Sequence, residues 1–435
     1  MIRNKNKKQG SEHRRTRYFQ LYALLIFLLA GLPLASHAQG KASELFQKFK
    51  QQVFQIRVID IASGDKNSIG SGFQVSKEGH LATNFHVVSS FVHKPEKYRL
   101  EYVAHDGSTG DIALLDFDVI HDLAVLKIAP LQKKYFRFNL GALSKGERIF
   151  SMGNPLDISM LIIEGNFNGL IQESRYRKIL FSGSLNPGMS GGPAFDDHGR
   201  LVGINVAKGG EQISFLVPAA RLHALYKRVR KHGAAKDFAE KIRTALFDDQ
   251  QKFYAQLLDK QWESEALGDV LISGKMDKSL KCWGHTIDKK DTYYKGVHKH
   301  CRSQDRIFVS RRMHIGMFSY DYEWLTTDRL NRFQFYSQVE SRFSHSSVSS
   351  VSRKEDATNY LCKEKFVEIS QHSWKVSTCL RAYKKYQGLY DVLLMMTTVD
   401  QNDRALLAKA AMSGVSKENS VRFMKRFMEA IQWKP

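Results

Sequence analysis

The stretch Asn186-Pro187-Gly188-Met189-Ser190-Gly191-Gly192-Pro193, running on through Ala194-Phe195 to the turn Asp196-Asp197-His198-Gly199 and the apolar segment Leu201 to Val206, decides the fold. Glycines on both sides of a serine let the backbone bend tightly. The hydroxyl is then exposed and neighbouring N–H groups can be aimed at one point, as stabilising a tetrahedral oxyanion requires. Standing alone, the segment fits a glycine-rich turn with an incidental serine equally well. Gly188-Met189-Ser190-Gly191-Gly192 also fits the G-x-S-x-G elbow of an α/β-hydrolase, which demands a helix directly after the serine. Pro193 and the strand-turn-strand pattern to Val206 supply none, so that architecture is excluded and a β-barrel site remains.

Working outward, Val53 to about Val217 is a series of short Val-, Ile-, Leu- and Phe-rich runs between Gly, Asn and Asp turns. Val53 to Ile61, Ser71 to Val75, Ala113 to Phe117, Leu123 to Ile128, Leu201 to Val206 and Ile213 to Val217 read as strands. With no helical pattern between them, they predict antiparallel barrels. A nucleophilic serine needs a base. His86 closes the apolar run Gly79-His80-Leu81-Ala82-Thr83-Asn84-Phe85-His86, read as the end of a strand, and an imidazole can take and return a proton near neutral pH. A lone histidine among apolar residues is also compatible with a plain core position. Asp122 opens the run Leu123-Ala124-Val125-Leu126-Lys127-Ile128 and is placed to orient an imidazole, with Asp111, Asp116 and Asp118 as nearby rivals.

Gly70 to Val88, Asp122 to Ile128, Gly153-Asn154-Pro155, Gly165 to Gly169, Asn186 to Pro193, Gly203-Ile204-Asn205 and Phe215-Leu216-Val217-Pro218 together resemble the trypsin-fold serine proteases of the HtrA (Deg) type, over roughly residues 50 to 222. The resemblance implies two six-stranded barrels with a cleft between them, and a triad of His86, Asp122 and Ser190. It implies an oxyanion hole from the backbone of Gly188 and Ser190, with Met189 as a further contributor, and neither metal nor cofactor. The pocket wall then falls to Ser184, Leu185, Asn205, Val206, Ala207 and Ser214, without an acidic base, so small or medium apolar side chains are the expected preference. Met189 stands where digestive zymogens of this fold carry an aspartate, so activation by a freshly cut amino terminus is not expected. No PDZ signature is recognisable beyond residue 230.

The chain has 435 residues, which suggests two or three domains, and its 43% hydrophobic content with 8 prolines suits folded cores. Seven basic side chains precede the uncharged run Leu21 to Ala35 and the small residues Ser36 and Ala38, a signal-peptide layout with cleavage expected after Ala38. The run is short for a bilayer span and broken by Pro33, so no stable membrane span is expected after cleavage. Loss of residues 1 to 38 lowers the net charge from +22 to +16. The surplus forms no dense block and no nucleic-acid motif accompanies it, so no nucleic-acid partner is expected. Residues 39 to 230 form the expected trypsin-like domain.

Residues 231 to 435 form a mixed α+β C-terminal domain, entered through helical periodicity from Ala219 to Leu258 interrupted at Gly233. It continues with strand-like Arg306 to Tyr322, a Ser-rich loop at Ser344 to Ser352, and a last helix from Lys417 to Trp433 capped by Ser416. The cysteines are Cys282, Cys301, Cys362 and Cys379, and an exported chain makes disulfides the default, paired by nearness as Cys282 with Cys301 and Cys362 with Cys379. The Cys282, His285, His298, His300, Cys301 cluster offers a zinc alternative, although its spacing is not that of a finger. The expected function is therefore a periplasmic or secreted serine endopeptidase acting on protein or peptide substrates, mainly β in fold, with oligomerisation left open. The alternative is a protease-fold binding or chaperone-like module that makes its contacts through the C-terminal domain.

Overall fold

In the computed structural model the described residues are 40–129, 134–154, 159–288, 292–344 and 353–434. The expected signal peptide and most of the expected Ser-rich loop lie outside them. A first helix, Lys41–Phe49, leads into β1 (Val53–Asp60), followed by β2 (Lys66–Gln74), β3 (His80–Thr83), β4 (Tyr98–Val103), β5 (Thr109–Asp111), β6 (Ala113–Asp118) and β7 (Leu123–Lys127). These form one antiparallel sheet in the order β5-β4-β1-β2-β3-β7-β6. The two edge strands are consecutive in the chain and separated only by Ile112, whose N–H bonds the carbonyl of Leu100. β5 and β6 thus behave as one strand bent at a corner, pairing with β4 at its start and β7 at its end. That is how seven segments roll into the six-stranded barrel that the resemblance implied.

The second barrel is closed, in the order β10-β13-β12-β11-β8-β9, from β8 (Arg148–Gly153), β9 (Leu161–Leu170), β10 (Ile179–Phe181), β11 (Pro193–Phe195), β12 (Leu201–Gly210) and β13 (Ile213–Pro218). Its interior is filled by Ile149, Phe181, Leu185, Met189, Ala194 and Leu216. The helical periodicity after Pro218 resolves into helices Ala219–His232 and Phe238–Asp259, with Gly233 at φ 72° between them. A left-handed residue there stops the first helix without the Cβ clash another residue would suffer.

Beyond residue 260 the main element is a second seven-stranded sheet, antiparallel throughout. It is ordered Leu280–Ile287, Lys295–Ser303, Phe318–Thr326, Arg404–Val415, Tyr390–Thr398, His372–Ala382 and Leu361–Ile369. Strand alternation sends Tyr320, Tyr322, Trp324, Leu394 and Leu406 to one face, where Phe253, Tyr254 and Leu257 of one helix and Phe423 and Phe427 of the last helix cover them. Leu325, Ala405 and Leu407 point the other way and meet Phe335 and Val339 of helix Arg332–Ser344. The last helix begins as expected, with the Ser416 side chain accepting from the Asn419 N–H at 3.2 Å. It ends at Glu429, short of Trp433, because Gln432–Trp433 pairs as a strand with Val270 and Leu271.

Both disulfides form between the cysteines nearest in sequence, Cys282 with Cys301 and Cys362 with Cys379. Each joins directly opposed residues, so each staples an edge strand of this sheet to its inner neighbour. The zinc alternative fails because its two thiols are consumed in a bond to each other. Replacing both Cys362 and Cys379 by Ser is expected to destabilise the C-terminal sheet by about 3 kcal/mol, since a closed loop of this length removes comparable entropy from the unfolded chain. A denaturant titration with a lower midpoint and a steeper slope, since the reduced-constraint unfolded chain exposes more surface, would show it.

Candidate active site

His86 does not end a strand. β3 stops at Thr83, and His86 lies in the first turn of helix Phe85–His93. Its β-branched run Val87-Val88 favours a strand locally, but the helix buries Phe85, Val87, Val88 and Val92 on the barrel, and this packing prevails over propensity. The side chain of Asn84, at the helix cap, donates to the carbonyl of Asp122 at 2.8 Å. Asp122 takes a left-handed conformation with φ 56°, tolerable for an aspartate, and this turns its carboxylate back toward the helix. One carboxylate oxygen accepts from the backbone N–H of His86 at 2.8 Å, and the other lies 2.6 Å from its Nδ1. The imidazole is thereby held in the tautomer that leaves Nε2 able to accept a proton.

The rival carboxylates are engaged elsewhere. Asp116 pairs with Arg228 and Lys241, Asp118 with His121, and Asp111 is highly exposed beside Arg99. Burial by itself would depress the His86 pKa. The charge and hydrogen bond of Asp122 together outweigh that effect and hold it above the ordinary histidine value of 6.5. A fold that raises a histidine pKa gains stability from it below the unfolded value and loses that gain as pH rises through the folded value.

Ser190 sits between two tight turns. Asn186 to Met189 is closed by the Met189 N–H on the Asn186 carbonyl at 3.0 Å, with Gly188 at φ 94°. The next is closed by the Gly192 N–H on the Met189 carbonyl at 3.0 Å, with Gly191 at φ 85°. Of the three residues expected around an oxyanion, Met189 therefore has its amide committed and its side chain buried in the second barrel. The amides of Gly188 and Ser190 donate to nothing among the described residues. The turns are pinned from below by Asn205, whose side chain donates to the carbonyls of Met152 and Met189 and accepts from the Ser151 hydroxyl.

The serine is also tied to the first barrel. The Ser71 N–H donates to the Ser190 carbonyl at 2.8 Å, while the Ser71 hydroxyl donates to the Gly188 carbonyl at 2.8 Å and accepts from the Asn154 N–H. Ser71 is a residue that the sequence reading left without a role; its one signal was a serine flanked by glycines inside a strand. A Cβ placed on Gly70 would lie 2.5 Å from Val87 and 3.2 Å from the Ser190 carbonyl oxygen, so the His86 helix and the serine turn meet across that glycine. The Ser190 hydroxyl itself donates to the Val206 carbonyl at 3.0 Å rather than to His86.

The expected pocket residues divide. The Ser214 hydroxyl is buried and accepts from the Leu185 N–H, the Leu185 side chain lies in the barrel core, and Asn205 is fully buried. These three are scaffold. The Ser184 hydroxyl accepts from the Gln212 N–H, Val206 presents its carbonyl to Ser190, and Ala207 pairs with Phe215 across the strands. A second residue without a sequence signal is Phe308, from the C-terminal half, whose ring centroid lies 5.8 Å from that of His86. Among the described residues no group of three or more His, Cys, Asp or Glu side chains is arranged to hold a metal ion, and no helix is long and apolar enough to cross a membrane.

Residues 70–204 match the family described as trypsin-like peptidase domain. The chain is similar to Protease Do-like 1, chloroplastic, of Arabidopsis thaliana, 31% identical over 169 residues, which cover 36% of each chain. It is similar to a probable periplasmic serine endoprotease, DegP-like, of Brucella suis, 32% identical over 184 residues, which cover 38% of this chain and 34% of the relative. The chain thus spans about a third of the length of these relatives. Among solved structures, that of Deg5 aligns with a TM-score of 0.41 and 24% identity, covering 46% of this chain and all of the other.

Proposed function

We propose that this chain, which carries a trypsin-fold domain of the HtrA and Deg type, is an exported serine endopeptidase. The observation that carries the reading is the double engagement of His86 by Asp122, in a site where the amides of Gly188 and of Ser190 itself donate to nothing among the described residues. As Oγ of Ser190 attacks the scissile carbonyl carbon, His86 Nε2 takes its proton. Asp122 stabilises the imidazolium, and the amides of Gly188 and Ser190 donate to the oxyanion. Collapse of the intermediate breaks the C–N bond, and His86 returns the proton to the leaving amine. Water, deprotonated by the same imidazole, then releases the acyl group from Ser190. The hydroxyl must first turn from Val206 toward His86, a single-bond rotation of the kind substrate binding commonly completes.

A second reading, a protease-fold binding module, is favoured by that same bond from Ser190 to Val206. Incubation with a fluorophosphonate followed by peptide mass mapping separates the two. The peptidase carries one phosphonyl adduct on Ser190, and a protein without an adduct there is not one. The acidic limb of the labelling rate is expected to have its midpoint above pH 6.5, because the base must be neutral and the Asp122 charge stabilises its protonated form. A midpoint below 6.5 would contradict the coupling of His86 to Asp122.

A further inference from the structure

Among the parts of the C-terminal half that pack on the His86 helix is a hairpin, Ile307–Ser310 and Met313–Ile315, which belongs to neither large sheet. A two-stranded hairpin is marginal alone and needs a surface to dock on. Here alternate residues Ile307, Val309, Met313 and Ile315 are buried in the same core as Val87, Val88 and Val92 of the His86 helix. Polar bonds fix the register of this contact. His93 at the end of that helix has Nε2 2.7 Å from the Val309 carbonyl, and the Arg311 guanidinium donates to the Asn67 carbonyl of β2 at 2.6 Å.

This docking leaves Phe308 partly buried in a small aromatic group. Its ring lies edge-to-face with His86 at 5.8 Å and 67°, near Phe85 at 6.5 Å and His314 at 5.3 Å. Asp122 restrains one nitrogen of the imidazole, but the tilt of the ring about that bond is restrained only by what packs beside it. Proton transfer from a serine depends on where Nε2 points, and a misplacement of about 1 Å can lower a rate about 100-fold.

We propose that Phe308 is a positioning residue for the general base, so that the C-terminal half completes the catalytic centre. The proposal rests on the serine peptidase reading. The experiment measures inactivation by a fluorophosphonate over a range of reagent concentrations, using the full chain. Phe308→Ala is expected to lower the maximal inactivation rate about tenfold, with the half-saturating concentration within twofold of wild type. Phe308→Tyr is expected to restore the rate to within about twofold. Leu394→Ala, a cavity in the far core of the C-terminal sheet, is expected to lower the melting temperature and leave the rate unchanged. Should Phe308→Ala not fold, Phe308→Leu keeps the apolar bulk without the aromatic ring and is expected to lose about threefold.

An unchanged or faster rate in the folded Ala or Leu variant overturns the proposal. So does a loss confined to the half-saturating concentration, which would make Phe308 a binding contact instead. A wild type that takes no label removes the peptidase reading and this proposal with it, an outcome distinct from both.

Discussion

Ser190→Ala is expected to abolish phosphonylation and to lower hydrolysis of an unfolded protein substrate about 10⁶-fold, while melting within about 1 °C of wild type. The reasoning is local. The hydroxyl makes one hydrogen bond, to the Val206 carbonyl, and the turn that carries it is held by backbone groups and by Asn205, none of which involves Oγ. On the proposed mechanism, removing the hydroxyl removes the covalent route and little else, leaving catalysis by binding and oxyanion stabilisation, about 10³-fold over water. Asp122→Asn belongs beside it as the graded case. An amide there cannot accept from both the ring and the backbone of His86 in the same way, and the wrong tautomer is expected to cost about 10⁴-fold in kcat with the fold intact. If Ser190→Ala hydrolysed at more than a hundredth of the wild-type rate, the chemistry would have to lie elsewhere.

Gly191→Ala is expected to be strongly destabilising. The residue sits at φ 85°, and a Cβ there would lie 2.2 Å from the Ser71 carbonyl oxygen and 2.3 Å from the Thr83 hydroxyl. Neither can retreat cheaply, because Thr83 donates to that same carbonyl at 2.7 Å and both residues are fully buried. Overpacking of this kind together with an unfavourable backbone conformation costs about 3 kcal/mol or more, roughly a 10 °C fall in melting temperature for a unit of this size. Labelling of Ser190 should fall with it, since the turn must move to make room. Gly210→Ala is the control: with open space around its Cβ it is expected to change stability by under about 0.5 kcal/mol. A Gly191→Ala protein melting like wild type would mean that the two barrels do not meet as described.

What could be read from the residues and what could not divides along sequence distance. The serine turn was legible because, within eight residues, glycines permit backbone conformations that other residues avoid and prolines fix φ. The pairing of cysteines was legible because each pair is 19 or 17 positions apart, within reach of one strand pair. His86 was assigned to the wrong element because valines favour strands until a barrel is present to bury a helix face. The burial of Leu185 and Ser214 could not be read either, since whether a loop residue or one face of a short strand turns inward depends on partners far away in the chain. Phe308 had no signal at all. Its significance comes from a hairpin whose Val309 carbonyl meets His93 across 216 positions, and nothing within the segment records that destination.

The shared interior of the first barrel and the C-terminal hairpin has a bearing on biogenesis. Val87, Val88 and Val92 are covered in part by Ile307, Val309, Met313 and Ile315, so a nascent chain that ends before residue 307 leaves that apolar surface wet. Such an intermediate is expected to expose apolar surface beside His86 until the later segment has packed against it. If the proposed peptidase activity holds, a chain assembled in this order gains its full activity only after the later segment has docked.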